Sequence, residues 1–121
     1  MADFTVTTSF TDSVTGLGLS RSDTFTLTGN DSTHVMADIT SGEYTYTLPT
    51  GIGSVGYIFL KNHAISDSPE DYVDVAVATT VYFIRLFPGQ SAILPIAPAT
   101  SALYLKGNLS TTPVEIYARE A

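Results

Sequence analysis

The stretch TLPTGIGSVGYIFLKN (residues 47–62) contains Gly51, Gly53 and Gly56 in the order G-x-G-x-x-G, the spacing of a dinucleotide-binding turn. That turn requires a helix directly after the third glycine, because the helix N-terminus holds the pyrophosphate. Here the third glycine is followed by Tyr-Ile-Phe-Leu, which favours a strand and lacks the 3.6-residue apolar period of a helix. The stretch therefore predicts a glycine-lined turn leading into a strand, in preference to a nucleotide site.

The rest of the chain has the same strand character. Apolar residues alternate with threonine and other polar residues in short runs, and turn residues separate the runs about every 8–12 residues. The runs are FTVTTSF, DTFTLT, HVMADIT, EYTYTL, YIFLK, YVDVAVA, TVYFIRLF, SAILPI, LYLKG and PVEIYAR. No window has helical periodicity. The pattern predicts an all-β protein, a jelly-roll-like antiparallel β-sandwich of roughly ten short strands, forming one domain over residues 1–121.

Composition excludes several classes of function. The chain has a formal charge of -7, and its five Lys and Arg residues are scattered singly, so we expect no nucleic-acid partner. It has no cysteine, which rules out disulfides, a thiolate nucleophile and a cysteine metal site. The start, MADFTVTTSF, lacks the features of a secretory signal, and no apolar run approaches about 18 residues, so we expect no membrane association.

Two strands in the second half are apolar on both faces. In each, one charged residue, Lys61 or Arg85, marks the outer face. We therefore expect in the core Ile58, Leu60, Tyr82, Ile84 and Leu86. The predicted outer face, which we expect to be an interface, comprises Tyr57, Phe59, Val81, Phe83, Arg85 and Phe87. A monomer rarely exposes such an aromatic patch, so either another subunit covers it, or the loop at 62–71 or a neighbouring loop folds over it.

The chain has few residues of the types that act as catalytic groups or metal ligands, with two histidines and no cysteine. His34 and His63 have no sequence partner at metal-ligand spacing, and we expect them to be solvated surface residues. No G-x-S-x-G nucleophile motif occurs. The sequence therefore predicts no enzymatic activity and no cofactor.

The acidic loop SDSPEDYVD (residues 66–74) is the best candidate for binding an ion. Its carboxylates, Asp67, Glu70, Asp71 and Asp74, could ligate Ca²⁺, although their spacing differs from the twelve-residue calcium loop. The alternative is a plain solvated loop. Exposed tyrosines could also stack on sugar rings.

From Tyr57 to the C-terminus the chain resembles small virion proteins of tailed bacteriophages. The matching pieces are YIFLKN, YVDVAV, FIRLFPGQSAILPIAPATSALYLKGN and PVEIYARE. The most characteristic is the strand that ends in Pro88-Gly89-Gln90. The resemblance implies a compact β-sandwich that binds the capsid shell or the tail, often as a trimer, and has no enzymatic activity.

On this basis we expect a capsid cement (decoration) protein. Such a protein would form a homotrimer through its outer aromatic face and bind the major capsid protein on the outer capsid surface of the virion, after assembly in the host cytoplasm. The alternative is a tail- or fibre-associated module that recognises a host glycan or protein.

Overall fold

A computed structural model describes residues 2–27, 32–48, 55–65, 68–97, 100, 102–108 and 111–120. Within these ranges the chain forms ten strands: β1 (Ala2–Asp12), β2 (Leu17–Leu27), β3 (Ser32–Ile39), β4 (Tyr44–Thr47), β5 (Val55–Asn62), β6 (Val73–Ala78), β7 (Val81–Leu86), β8 (Ser91–Pro95), β9 (Ala102–Gly107) and β10 (Thr112–Glu120). The strands belong to two compact units, Met1–Asn30 and Asp31–Ala121. The single domain predicted over residues 1–121 stays a prediction.

The first unit is a β-hairpin, which we call the arm. Its strands β1 and β2 are eleven residues each and pair antiparallel in unbroken register, from Ala2 opposite Leu27 to Asp12 opposite Leu17. Asp12 organises the tip, because its carboxylate accepts hydrogen bonds from the Val14 amide (2.9 Å) and the Thr15 hydroxyl (2.8 Å). These hydrogen bonds hold the pKa of Asp12 below its usual value. Gly16 then takes the positive φ that closes the turn.

The second unit is a sandwich of two four-stranded antiparallel sheets. Sheet I has the strand order β3-β10-β5-β8, and sheet II has the order β4-β9-β6-β7. Every connection along the chain passes from one sheet to the other, except the hairpin between β6 and β7. This is the strand order of a jelly roll, so the predicted all-β jelly-roll-like sandwich is confirmed.

The core lies between the two sheets and is built by alternation along the strands. Sheet I contributes Ile58 and Leu60 from β5 together with alternate residues of β3 and β10. Sheet II contributes Val73 and Val75 from β6, with Leu103 and Leu105 from β9. The sequence predictions for Ile58, Leu60 and Leu86 are confirmed, and Ile84 packs against the same core while partly exposed.

The prediction that Tyr82 is a core residue is wrong. The pairing between β6 and β7 shifts register, so that Val75 faces Ile84 while Ala76 faces Tyr82, and Phe83 becomes an extra residue on β7. Such a bulge changes which face a side chain meets. Tyr82 is half-buried, and its hydroxyl donates to the carboxylate of the exposed Glu43. Strict alternation could not reveal this change of face.

The glycine-rich stretch leads into a strand, as predicted. Strand β5 begins at Val55 and includes Gly56, while Gly51 and Gly53 lie outside the described residues. In the part of the chain that the structure describes, no helix has the length and apolar character needed to cross a membrane.

Candidate interaction surfaces

Tyr57 and Phe59 lie on the outer face of sheet I, because they alternate with the buried Ile58 and Leu60. Phe59 pairs with Tyr117 on one side and with Ile93 on the other. These three residues form an aromatic and aliphatic row across the sheet, with Tyr117 and Ile93 each 38% exposed. We call Tyr117, Phe59 and Ile93 the apolar row.

The other predicted interface residues belong to sheet II. Val81 and Phe83 are each 61% exposed on β7. Arg85 lies further along the same strand, and Phe87 is the first residue after the strand ends at Leu86. The strands β5 and β7 lie in opposite sheets. The expectation that these residues form one continuous aromatic face is therefore wrong. The six residues form two patches on opposite outer faces. Sequence alternation shows which residues point outward, but it does not show which sheet holds a strand.

Arg85 is fixed in place by its neighbours. Its Nε and Nη2 donate to the two carboxylate oxygens of Asp74 at 2.8 and 3.1 Å, and its guanidinium lies 3.7 Å from the centre of the Tyr72 ring. The hydrogen bonds to Asp74 raise the pKa of Arg85 above its ordinary value. Tyr72 also packs edge-on against Phe87, so the segment after the 62–71 loop partly covers Phe87. Phe83 keeps its large exposure.

Three residues far apart in sequence meet on the outer face of sheet I. Glu115 of β10 accepts hydrogen bonds from Nε2 of His34 (2.6 Å) through one oxygen and from Nε2 of His63 (2.7 Å) through the other. The hydrogen bonds from His63 and His34 hold the pKa of Glu115 below its usual value. Both histidines are surface residues, with side chains 53% and 36% exposed. The two histidines reach the same carboxylate because β3 and β5 pair with β10 on either side. No sequence motif indicates this pairing.

Asn62 is a buried polar residue that the sequence analysis did not single out. Its side chain donates to the carbonyl oxygens of Leu86 (2.9 Å) and Asp71 (3.0 Å) and accepts from the Ala64 amide (2.9 Å). Its backbone bonds to Gln90 and Gly89. Asn62 therefore joins the end of β5 to the end of β7, to the acidic loop and to the Pro88-Gly89 turn.

The carboxylates of Asp74 and Glu70 in the acidic loop bind other side chains. Asp74 holds Arg85, and the Glu70 side chain accepts from Asn108 at 3.1 Å. Asp67 lies outside the described residues. Among the residues that the structure describes, no cluster of His, Asp or Glu is arranged to hold a metal ion.

The outer face of sheet II carries two depressions that share Asp74 and Tyr82. Tyr72, Lys106 and Asn108 line one of them, and Phe83 and Arg85 line the other. Partial burial, together with the hydrogen bond to Glu43, raises the pKa of Tyr82 to about 12, so its hydroxyl stays protonated. The depressions thus combine aromatic rings with hydrogen-bond donors and acceptors.

Comparison with protein-family models, with curated proteins and with solved structures finds no match to this chain.

Proposed function

We propose that this protein is a non-enzymatic structural component of a phage virion, a capsid cement protein that self-associates and binds the outer capsid surface. The observation that carries the proposal is the amount of apolar surface outside the core. Phe83 and Val81 are each 61% exposed on sheet II, the apolar row crosses sheet I, and Phe10 is 60% exposed on the arm. A monomer rarely leaves several such patches in water.

The chemistry of these patches suits protein contacts. Aromatic side chains and arginine are enriched at interfaces. Aromatic rings bury a large area for few rotatable bonds, and the planar guanidinium of arginine stacks on rings and offers several hydrogen-bond donors. On sheet II, Phe83, Phe87 and Tyr72 adjoin Arg85, whose position Asp74 fixes in advance. A preformed cluster of this kind loses little side-chain entropy on binding. A symmetric oligomer held together by such contacts would present one remaining surface to each equivalent capsid subunit.

Shell binding tests this function directly. Capsids assembled from the major capsid protein encoded with this chain would be mixed with the purified protein and sedimented. We expect the wild type to sediment with the shells, and the matched Thr45→Asp variant, changed at an exposed polar position of β4, to do the same. A wild-type protein that stays in the supernatant at all concentrations would contradict the proposal.

A second candidate function is a tail- or fibre-associated module that recognises a host glycan. The paired depressions on sheet II favour it, because Tyr72 and Tyr82 lie beside donors and acceptors suited to a sugar ring. A glycan array separates the two candidates. Binding that Lys106→Ala and Asn108→Ala abolish would support this module, and a blank array together with shell binding would eliminate it.

A further inference from the structure

Strand β2 leaves one edge of the arm open. It has eleven residues and pairs, in the part of the chain that the structure describes, with β1 alone. The pairing keeps one register from end to end without a bulge, and β2 contains no proline. Proteins use short strands, bulges and prolines to stop an edge strand from pairing with another chain. None of these three devices occurs on β2, so this edge can accept a further strand.

The arm would gain stability from more strands. A two-stranded hairpin is at best marginally stable in water, whereas three or more strands with an apolar face can be stable. The arm is a compact unit of its own. Phe10 and Leu19 lie opposite each other in it, and they are 60% and 49% exposed. A strand added beside β2 would cover part of Leu19 and widen the sheet.

The sequence of β2, LGLSRSDTFTL (residues 17–27), has nearly the same chemical pattern in both directions from Ser22. Outward from Ser22, the mirror positions hold Arg and Asp, Ser and Thr, Leu and Phe, Gly and Thr, and Leu and Leu. When two identical strands pair antiparallel about one residue, each position lies opposite its mirror position. Two copies of β2 centred on Ser22 therefore place apolar residues opposite apolar ones and hydroxyls opposite hydroxyls.

Charge distinguishes between the two edges of the arm. In the pairing centred on Ser22, Arg21 of each copy lies opposite Asp23 of the other, so two pairs of opposite charge face each other across the strands. The other edge strand, β1, contains Asp3 and Asp12 but no basic residue. Two copies of β1 would bring four acids together without a balancing charge. The charges therefore favour pairing through β2.

The same pairing accounts for charged residues on the apolar face of the arm. By the register of the hairpin, positions 21 and 23 share a face with Leu19 and Phe10. Arg21 is exposed and donates to the carbonyl of Ser20 on its own strand at 2.9 Å. A second copy of β2 supplies an opposite charge at each of the two positions.

From the open edge, the symmetric pattern and the charges, and resting on the self-association in the proposed function, we propose that β2 pairs antiparallel with β2 of a second copy about a two-fold axis at Ser22. The two arms then form one four-stranded sheet, in the order β1-β2-β2-β1. The contact is isologous, because each copy contributes the same strand.

The absence of cysteine allows a direct cross-linking test. Opposite residues of an antiparallel pair have Cα atoms about 4.5–5.5 Å apart, which is within the range of a disulfide. Ser22→Cys lies opposite itself in the proposed pairing. We expect the oxidised Ser22→Cys variant to run as a disulfide-linked pair of chains, and a variant that stays a single chain would overturn the proposal.

Two matched controls test the edge and the register. Thr7 lies opposite Ser22 on β1 and shares a hydrogen bond of 3.1 Å with it, so Thr7→Cys has the same surroundings at the other edge. Ser20→Cys lies on β2, but its counterpart in the second copy is about 14 Å away along the strand, beyond the reach of a disulfide. Both should stay single chains, and cross-linking of either that equals that of Ser22→Cys would overturn the proposal.

Exchange of the two charges tests the pairing between copies. Arg21→Asp alone and Asp23→Arg alone should each halve the molar mass of the oligomer in light scattering, because like charges then face each other across the strands. A mixture of the two variants should recover the wild-type mass, since each then faces an opposite charge in the other chain. An ion pair within one chain predicts no recovery on mixing, and that result would overturn the proposal.

These measurements separate the arm from the proposed function. If the wild type is an oligomer and Ser22→Cys does not cross-link, the pairing through β2 fails and self-association stands. If the wild type is a single chain at every concentration, both fail.

Discussion

At the scale of single residues, the buried side chain of Asn62 contributes to the stability of the fold through its hydrogen bonds. It is fully buried, and its side chain uses both donors and its acceptor on three backbone groups of different segments. Replacing Asn62 with alanine leaves those groups without partners, and each buried unsatisfied group is costly. We expect Asn62→Ala to lower the free energy of unfolding by about 3 kcal/mol, measured by urea denaturation.

Asn108 offers a matched control. It also bonds a backbone carbonyl and a side chain, both on Glu70, but at the exposed surface. Asn108→Ala should cost less than about 1 kcal/mol, because water replaces the lost partners. Equal losses for the two variants would contradict the anchoring role of Asn62.

Glu115 makes the stability of the sandwich depend on pH. Its pKa is lowered in the folded state, so it stabilises the fold fully above the ordinary value of 4.5, and this contribution is lost as the pH falls through the lower folded value. We therefore expect the wild type to lose more stability than Glu115→Gln between pH 5.5 and pH 3, compared by urea denaturation at each pH. Parallel losses would show that the two histidines do not stabilise the carboxylate.

At the scale of elements, the ends of β3 and β9 meet closely across the two sheets. The Gly107 amide donates to the Thr40 carbonyl at 2.7 Å, and a Cβ on Gly107 would lie 3.0 Å from that oxygen and 3.2 Å from the Ile39 carbonyl oxygen. Both neighbours are backbone and cannot move aside cheaply. We expect Gly107→Ala to destabilise the protein by about 1–3 kcal/mol in thermal or urea unfolding.

Gly42 lies in the neighbouring turn and provides the control. A Cβ there would be 3.7 Å from the Thr40 hydroxyl, an ordinary contact, so Gly42→Ala should be close to neutral. If the two alanine variants unfold alike, close approach is not the reason for glycine at position 107.

Sequence patterns predicted the elements better than their arrangement. Alternation puts Val35, Ala37 and Ile39 of HVMADIT on one face, and Tyr44, Tyr46 and Leu48 of EYTYTL on one face. Ala37, Ile39, Tyr46 and Leu48 are buried as this pattern suggests, while Val35 stays 39% exposed. The bulge at Phe83 was not predicted. In a run that is apolar on both faces, an extra residue does not change the hydrophobic pattern from which the faces were assigned. Pairings such as β3 with β10 join residues about eighty positions apart, so Glu115 and its histidines could not be foreseen from local spacing.

At the scale of the whole molecule, the account depends on the apolar surface that the core does not use. On sheet II, Phe83 is the most exposed aromatic residue of the predicted interface at 61%. If this patch is a contact between copies, Phe83→Asp should reduce the mass of the oligomer without changing the circular dichroism spectrum. The exposed Thr45→Asp on the same sheet should change neither. A Phe83→Asp variant with the wild-type mass would show that this patch is not a contact between copies.

Self-association is the central claim, and the molar mass of the wild-type protein by light scattering, over a wide range of concentrations, tests it most directly. The account predicts a stable oligomer, with three chains if the resemblance to phage virion proteins holds. The mass of a single chain at every concentration would contradict it.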